Sequence, residues 1–187
     1  MVHARLGKLL DDERRLLRAA SVFGEVFWSE GVAALLGEAL PAPAIHAQLE
    51  ALVDPELLVR RPDSRFPGMA ELSFRHALLR EGAYAMLTET DRIHGHRLAA
   101  EWLERQGESE PMVLAQHYDR GREPTQAGRF YFQAAAHAVQ AGDLEAAIER
   151  ARRALVHGLP DAERSLLFGV LAEVHCWRGE WEQARER

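Results

Sequence analysis

Residues 140–151 read Gln140-Ala141-Gly142-Asp143-Leu144-Glu145-Ala146-Ala147-Ile148-Glu149-Arg150-Ala151, and residues 177–187 read Trp177-Arg178-Gly179-Glu180-Trp181-Glu182-Gln183-Ala184-Arg185-Glu186-Arg187. Gly142 aligns with Gly179 and Ala147 with Ala184, at an offset of 37 residues. In each copy a glycine opens a helical run. Glycine permits the tight turn between two helices, and the small side chains of Ala147, Ala151 and Ala154 let the second helix pack closely on the first. Each glycine is preceded by another helical run, with Tyr131 or Phe168 at its large early position. Short joints between consecutive helices imply antiparallel neighbours, so the repeated unit is a helical hairpin.

Outward from this repeat, helices are expected near 75–86, 89–105, 110–120, 124–141, 143–157 and 161–177 and from 180 onward, with joints at Thr88, Gly107–Pro111, Gly121–Pro124, Gly142, Gly158–Pro160 and Gly179. The N-terminal part reads differently. Asp11 and Asp12 are N-cap candidates for a helix through Ala20, with Leu16, Leu17 and Ala20 as its apolar stripe. Ser21–Trp28 reads as a turn around Gly24, with Phe23, Phe27 and Trp28 as core candidates, and a short helix follows over Ser29–Leu36. Pro43 can open a third helix to Leu52. Leu57–Arg61 and Leu72–Phe74 read as short strands around a loop, Pro62–Gly68, rich in turn formers. Three helices followed by a hairpin is the winged-helix order, a variant of helix-turn-helix.

The expected fold is therefore mainly α. A winged-helix-like unit with a small β-hairpin spans 1–87, and antiparallel helical hairpins span 88–187, truncated at the C-terminus because the chain stops inside a second helix without a polar cap. The hairpins resemble tetratricopeptide (TPR) repeats, whose period is roughly 34 residues; the three extra residues fit in the Gly158–Pro160 loop. The repeat-defining positions are Gly142, Ala147, Ala154, Gly179 and Ala184. Ala134-Ala135 and Leu171-Ala172 match the repeat's Leu-Gly pair loosely, so the array is degenerate, and the plainer alternative is a generic helical-hairpin bundle.

The most distinctive stretch is Phe74-Arg75-His76-Ala77-Leu78-Leu79-Arg80-Glu81-Gly82-Ala83-Tyr84. Together with Glu13–Gly24 before it and Arg92–Glu104 after it, it resembles the region that follows the ATPase core in bacterial STAND-type signal-transduction ATPases. It is also similar to the matching part of large TPR-containing serine/threonine kinases. The resemblance implies an upstream NTPase or kinase domain as partner, with ATP or ADP bound by the parent protein and no cofactor in this chain. It also implies an unknown protein or small-molecule inducer on the hairpins. In that class a Met-His-Asp motif at a helix start carries a histidine that senses the β-phosphate of ADP. Arg75-His76-Ala77 occupies this place, which makes His76, with Arg75, the implied nucleotide-phosphate sensor; two of the three motif positions differ. The structural alternative is that His76 caps or packs the hairpin.

Composition narrows the function classes. The chain has 187 residues, 47% of them apolar and 28% charged, so it can bury a core. Its net charge of −6 and pI near 5.9 are unlike the basic balance usual for nucleic-acid binding. Twenty-two arginines accompany one lysine, Lys8, and no asparagine, a usage that points to a high-GC bacterium. One cysteine, Cys176, fits a reducing cytoplasm. No run is apolar and long enough to span a membrane, and no secretory signal opens the chain.

Catalytic motifs are missing from the sequence. There is no phosphate loop around Lys8, no kinase H-R-D or D-F-G motif, and no G-x-S-x-G or H-E-x-x-H. The nine histidines show no zinc spacing. The expectation is a non-enzymatic, cytoplasmic, protein-interacting signalling module. The competing expectation is a stand-alone winged-helix DNA-binding transcriptional regulator. Against it, the helix Pro43–Val53 carries Glu50 and neither arginine nor lysine. Arg60, Arg61 and Arg65, near Arg75, remain candidates for contact with an anionic partner.

Overall fold

The computed structural model describes residues 9–37 and 41–177. Lys8, Gly179, Ala184 and the helix expected from 180 lie outside the described residues. The chain is mainly helical with a small antiparallel sheet, and it divides into two compact units, Met1–Gln106 and Gly107–Arg187. No helix among the described residues is long and apolar enough to cross a membrane.

The first unit runs α1 (Asp11–Phe23), β1 (Val26–Trp28), α2 (Ser29–Leu36), α3 (Ala42–Ala51), β2 (Leu58–Arg60), β3 (Glu71–Phe74), α4 (Ala77–Ala85) and α5 (Glu89–Arg105). The sheet order is β1-β3-β2. Phe27 faces Leu72 across one ladder, and Leu58 faces Phe74 across the other. The hairpin partners expected from sequence therefore pair, but a third strand joins them where the sequence reads as a turn. Val26-Phe27-Trp28 is β-branched and aromatic, and Gly24 (φ 120°) turns the chain from α1 into it. At three residues the strand is too short to display an alternating pattern.

Leu10, and not Asp11 or Asp12, caps α1: its amide donates to Glu13 Oε2 at 2.8 Å. The two aspartates occupy the first turn, where the helix dipole favours them. Leu16 and Leu17 of α1, Ile45 and Leu49 of α3, and Leu72 of β3 form the fully buried centre of the unit. Thr88 caps α5 in a reciprocal box, accepting from the Asp91 amide at 3.1 Å while its own amide donates to Asp91 Oδ2 at 3.3 Å.

This last helix belongs to the first unit, so the sequence boundary at 87/88 moves to 106/107. The cause is aromatic packing. Trp102 sits 5.6 Å, centroid to centroid, from each of Phe23, Trp28 and Phe66. Gly95 lies so close to α1 that a Cβ there would meet Val22 Cγ2 at 3.1 Å. An amphipathic helix reads alike whichever body its apolar face covers, so sequence could not assign α5.

The second unit contains α6 (Pro111–Arg120), α7 (Pro124–Gln140), α8 (Leu144–Val156) and α9 (Asp161–Trp177), each within two residues of its expected span. Helix α7 packs between α6 and α8, and α9 packs on α7 and α8. Ala147, Ala151 and Ala154 are fully buried, and a Cβ at Gly128 would come within 3.4 Å of the Ala154 carbonyl. The joints after α6 and α7 are built alike. Glu123 N–H donates to the Tyr118 carbonyl at 2.9 Å, and Asp143 N–H to the Ala138 carbonyl at 2.9 Å. Each places one residue in the left-handed region, Arg122 (φ 57°) and Gly142 (φ 75°). This is the Schellman ending, which favours glycine at that position. Arginine in the first joint hides the equivalence from sequence.

Candidate functional site

His76 is the N-cap residue of α4, in extended backbone just beyond β3. Its carbonyl accepts from Leu79 N–H at 2.9 Å, which begins the helix ladder. Its side chain makes no capping hydrogen bond and is exposed. The capping alternative for His76 is thus met by its backbone and not by its imidazole. Leu78, two residues on in the first turn, is also exposed, at 63%. The amides at the start of α4 and the adjacent imidazole present donors to solvent, an arrangement suited to an anion.

Arg75 anchors the start of this segment. Its amide donates to the Leu57 carbonyl at 3.0 Å, and its guanidinium lies 3.7 Å from Glu56 Oε1. Both side chains of that pair are largely exposed, so the pair contributes little to stability.

The other arginines do not form a bare basic patch. Arg60 Nη2 lies 3.5 Å from Glu50 Oε1, and Arg61 Nε lies 2.9 Å from Glu71 Oε1. The Arg65 amide donates to Glu71 Oε2 at 2.8 Å. Glu71 is 7% exposed and holds both sides of the loop between β2 and β3. Trp28 Nε1 completes the clamp by donating to Ser64 Oγ at 3.2 Å. Three carboxylates, Glu50, Glu56 and Glu71, thus meet arginines ten or more residues away in the chain, and only the fold brings them there.

Two further polar constellations escape the sequence. In the first unit, Ser29 Oγ lies 3.2 Å from His46 Nδ1 and donates to Glu30 Oε2 at 3.0 Å. They face an open groove of about 560 Å³ that Arg60 and Met69 also line. In the second unit, the fully buried Tyr131 donates to Asp119 Oδ2 at 3.1 Å and accepts from Arg153 Nη1 at 3.2 Å. The His157 ring stacks on Tyr131 at 5.5 Å, with Nε2 3.4 Å from Asp119 Oδ1. Burial pushes the Tyr131 hydroxyl above the usual tyrosine range, against the hydrogen bond from Arg153 that lowers it. These residues sit on α6, α7, α8 and the C-cap of α8, too far apart in the chain for any spacing to reveal.

Among the described residues, no three or more His, Cys, Asp or Glu side chains are grouped so that they could hold a metal ion. Gly142 lies at the α7–α8 joint, and Ala147 and Ala154 are in the α7–α8 interface. No family model, no curated protein and no solved structure matches this chain.

Proposed function

We propose that the chain is a non-catalytic regulatory and protein–protein interaction module of a larger bacterial signalling protein, working with an ATPase or serine/threonine kinase core in the cytoplasm. The observation that carries this reading is the order of elements. The series α1-β1-α2-α3-β2-β3, followed by antiparallel helix pairs, supports a winged-helix unit leading into a TPR-like array. The like-built joints at Arg122 and Gly142 support the array further. In this reading ATP or ADP belongs to the core, and His76, beside the open end of α4, meets its phosphate. The helix pairs receive a protein or a small-molecule inducer.

The alternative, a DNA-binding regulator, must contend with Glu50, Glu56 and Glu71. Phosphate contact by Arg60, Arg61 or Arg75 would compete with the ion pairs those residues make.

The test is capture from a lysate of the source organism, with His76→Ala and the double variant Arg60→Ala/Arg61→Ala alongside. Capture of an ATPase or kinase core that is lost with His76→Ala supports the reading. Equal capture by all forms assigns binding to the helix pairs and leaves His76 without a sensing role. Salt-sensitive binding to duplex DNA, weakened in the arginine variant, would replace the reading with the regulator.

A further inference from the structure

Helix α1 carries three arginines close together, and they are treated differently by the fold. Arg14 is held by Asp11 and by the Leu9 carbonyl. Arg15 and Arg18, three residues apart and so on one face, have no hydrogen-bond or ion-pair partner among the described residues, and the Arg18 Nε is buried. Both line a recess of about 190 Å³ between α1, the end of α2 and the start of α5.

The rest of the lining is split by chemistry. Val22, Leu35, Leu36 and Leu87 supply apolar wall, while Asp91 and His94 supply polar edge. The His94 Nδ1 lies 3.0 Å from Arg97 Nη2. A guanidinium only donates, so Nδ1 is the acceptor in that contact. Asp91 is engaged by Thr88, whose hydrogen bonds hold its carboxyl below the usual range and keep it ionised. Among the described lining residues two guanidiniums face one carboxylate, an excess of one positive charge that favours a monoanion over a dianion. The volume corresponds to roughly six waters at about 30 Å³ each, and part of the wall is apolar.

We propose that this recess binds a small organic monocarboxylate with an apolar body of about five carbons, its carboxylate taken by Arg15 and Arg18 and its chain lying against Val22, Leu35 and Leu87. A planar guanidinium matches a carboxylate in geometry as well as charge, and Arg18 already acts on the Asp91 carboxylate across the recess. Binding would tie α5 to α1 and α2. None of the lining residues belongs to the His76 or Arg60 clusters, so the proposal is independent of the function proposed above.

The probe is 4-methylpentanoate, titrated into the full chain by calorimetry and followed by amide shifts at Ala19, Val22 and Gly95. Its neutral isostere 4-methylpentanamide and inorganic phosphate are the comparison ligands. The acid should bind at least tenfold more tightly than either, and Arg18→Gln, with an unchanged melting temperature, should weaken it about tenfold or more. Equal binding of the amide would remove the arginines from the site. Equal binding of phosphate would reduce it to a bare anion site. No binding of the acid at millimolar concentration would overturn the proposal outright. The two ligand comparisons use the unmodified chain and stand even if the variant misfolds.

Discussion

Each of the two units contains a contact built from side chains opposite in size to the other's: an aromatic cluster in the first and an alanine-lined helix pair in the second. In the first, Phe23, Trp28, Phe66 and Trp102 meet from a helix, a strand, a loop and a second helix. In the second, Ala134 and Ala135 of α7 and Ala147, Ala151 and Ala154 of α8 are all fully buried. Large rings span the gaps left between elements that differ in kind, and each contributes much of the apolar area there. Small residues let two helices approach until backbone meets backbone, and the interface then leaves no room for growth. Deletion should therefore damage the first unit most, and addition should damage the second.

The largest expected effect follows directly. Trp102→Ala should destabilise the first unit by about 3–5 kcal/mol, read by denaturant unfolding followed by circular dichroism. A loss below about 1 kcal/mol would mean that α5 is not held by the aromatic cluster, and would return the boundary to residue 88. In the second unit, Ala151→Leu should cost about 1–3 kcal/mol through overpacking. A neutral result in the same assay would show a looser α7–α8 interface than the burial of the alanines indicates.

The joints provide a smaller and signed test. Gly142→Ala should lose about 1 kcal/mol, and Arg122→Gly should gain up to about 1 kcal/mol, because both act on a left-handed residue in the same Schellman ending. Effects of the same sign at both positions would break the equivalence of the joints.

Two titrations sharpen the contrast further. Asp91 is exposed, and its folded pKa is depressed by the Thr88 hydrogen bonds. Its stabilising effect is therefore present above the ordinary carboxylate value and lost as pH falls through the folded one. Thr88→Ala should cost about 1 kcal/mol near neutral pH, and less in acid, measured as melting temperature across the acidic range. Tyr131 is shifted the other way by burial. Its support is complete below the ordinary tyrosine value and lost as pH rises through the folded one, so phenolate absorbance from Tyr131 should emerge above that value. Emergence at or below the ordinary value would show that the Asp119–Tyr131–Arg153 network is open to water.

Much of the second unit is readable along the chain. Helices α6 to α9 show themselves because apolar positions recur at helical spacing and glycine or proline punctuates every joint. The hairpin strands β2 and β3 are readable too, from short apolar runs on either side of a turn-rich loop. The short strand β1 is not, since three residues carry no period. The candidate site is readable only as a set of residue types. His76 stands out because a strand ends and a helix begins beside it, yet its exposure comes from the packing of α4. The arginines at 60, 61 and 75 look like a free basic cluster until Glu50, Glu56 and Glu71 meet them.

Local order determined where helices start, where they stop and which faces are apolar, because capping, periodicity and left-handed turns are decided within a few residues. Tertiary structure alone decided which body α5 covers, which charges are paired and which remain open. Arg14 and Arg18 are the same residue type on one helix, four positions apart; one is held by Asp11 within its own first turn, while the other turns toward a recess that exists only after α2 and α5 have packed against α1. The burial and pairing of a charge depend on what distant segments bring to it, and that information is not carried by its neighbours in the chain.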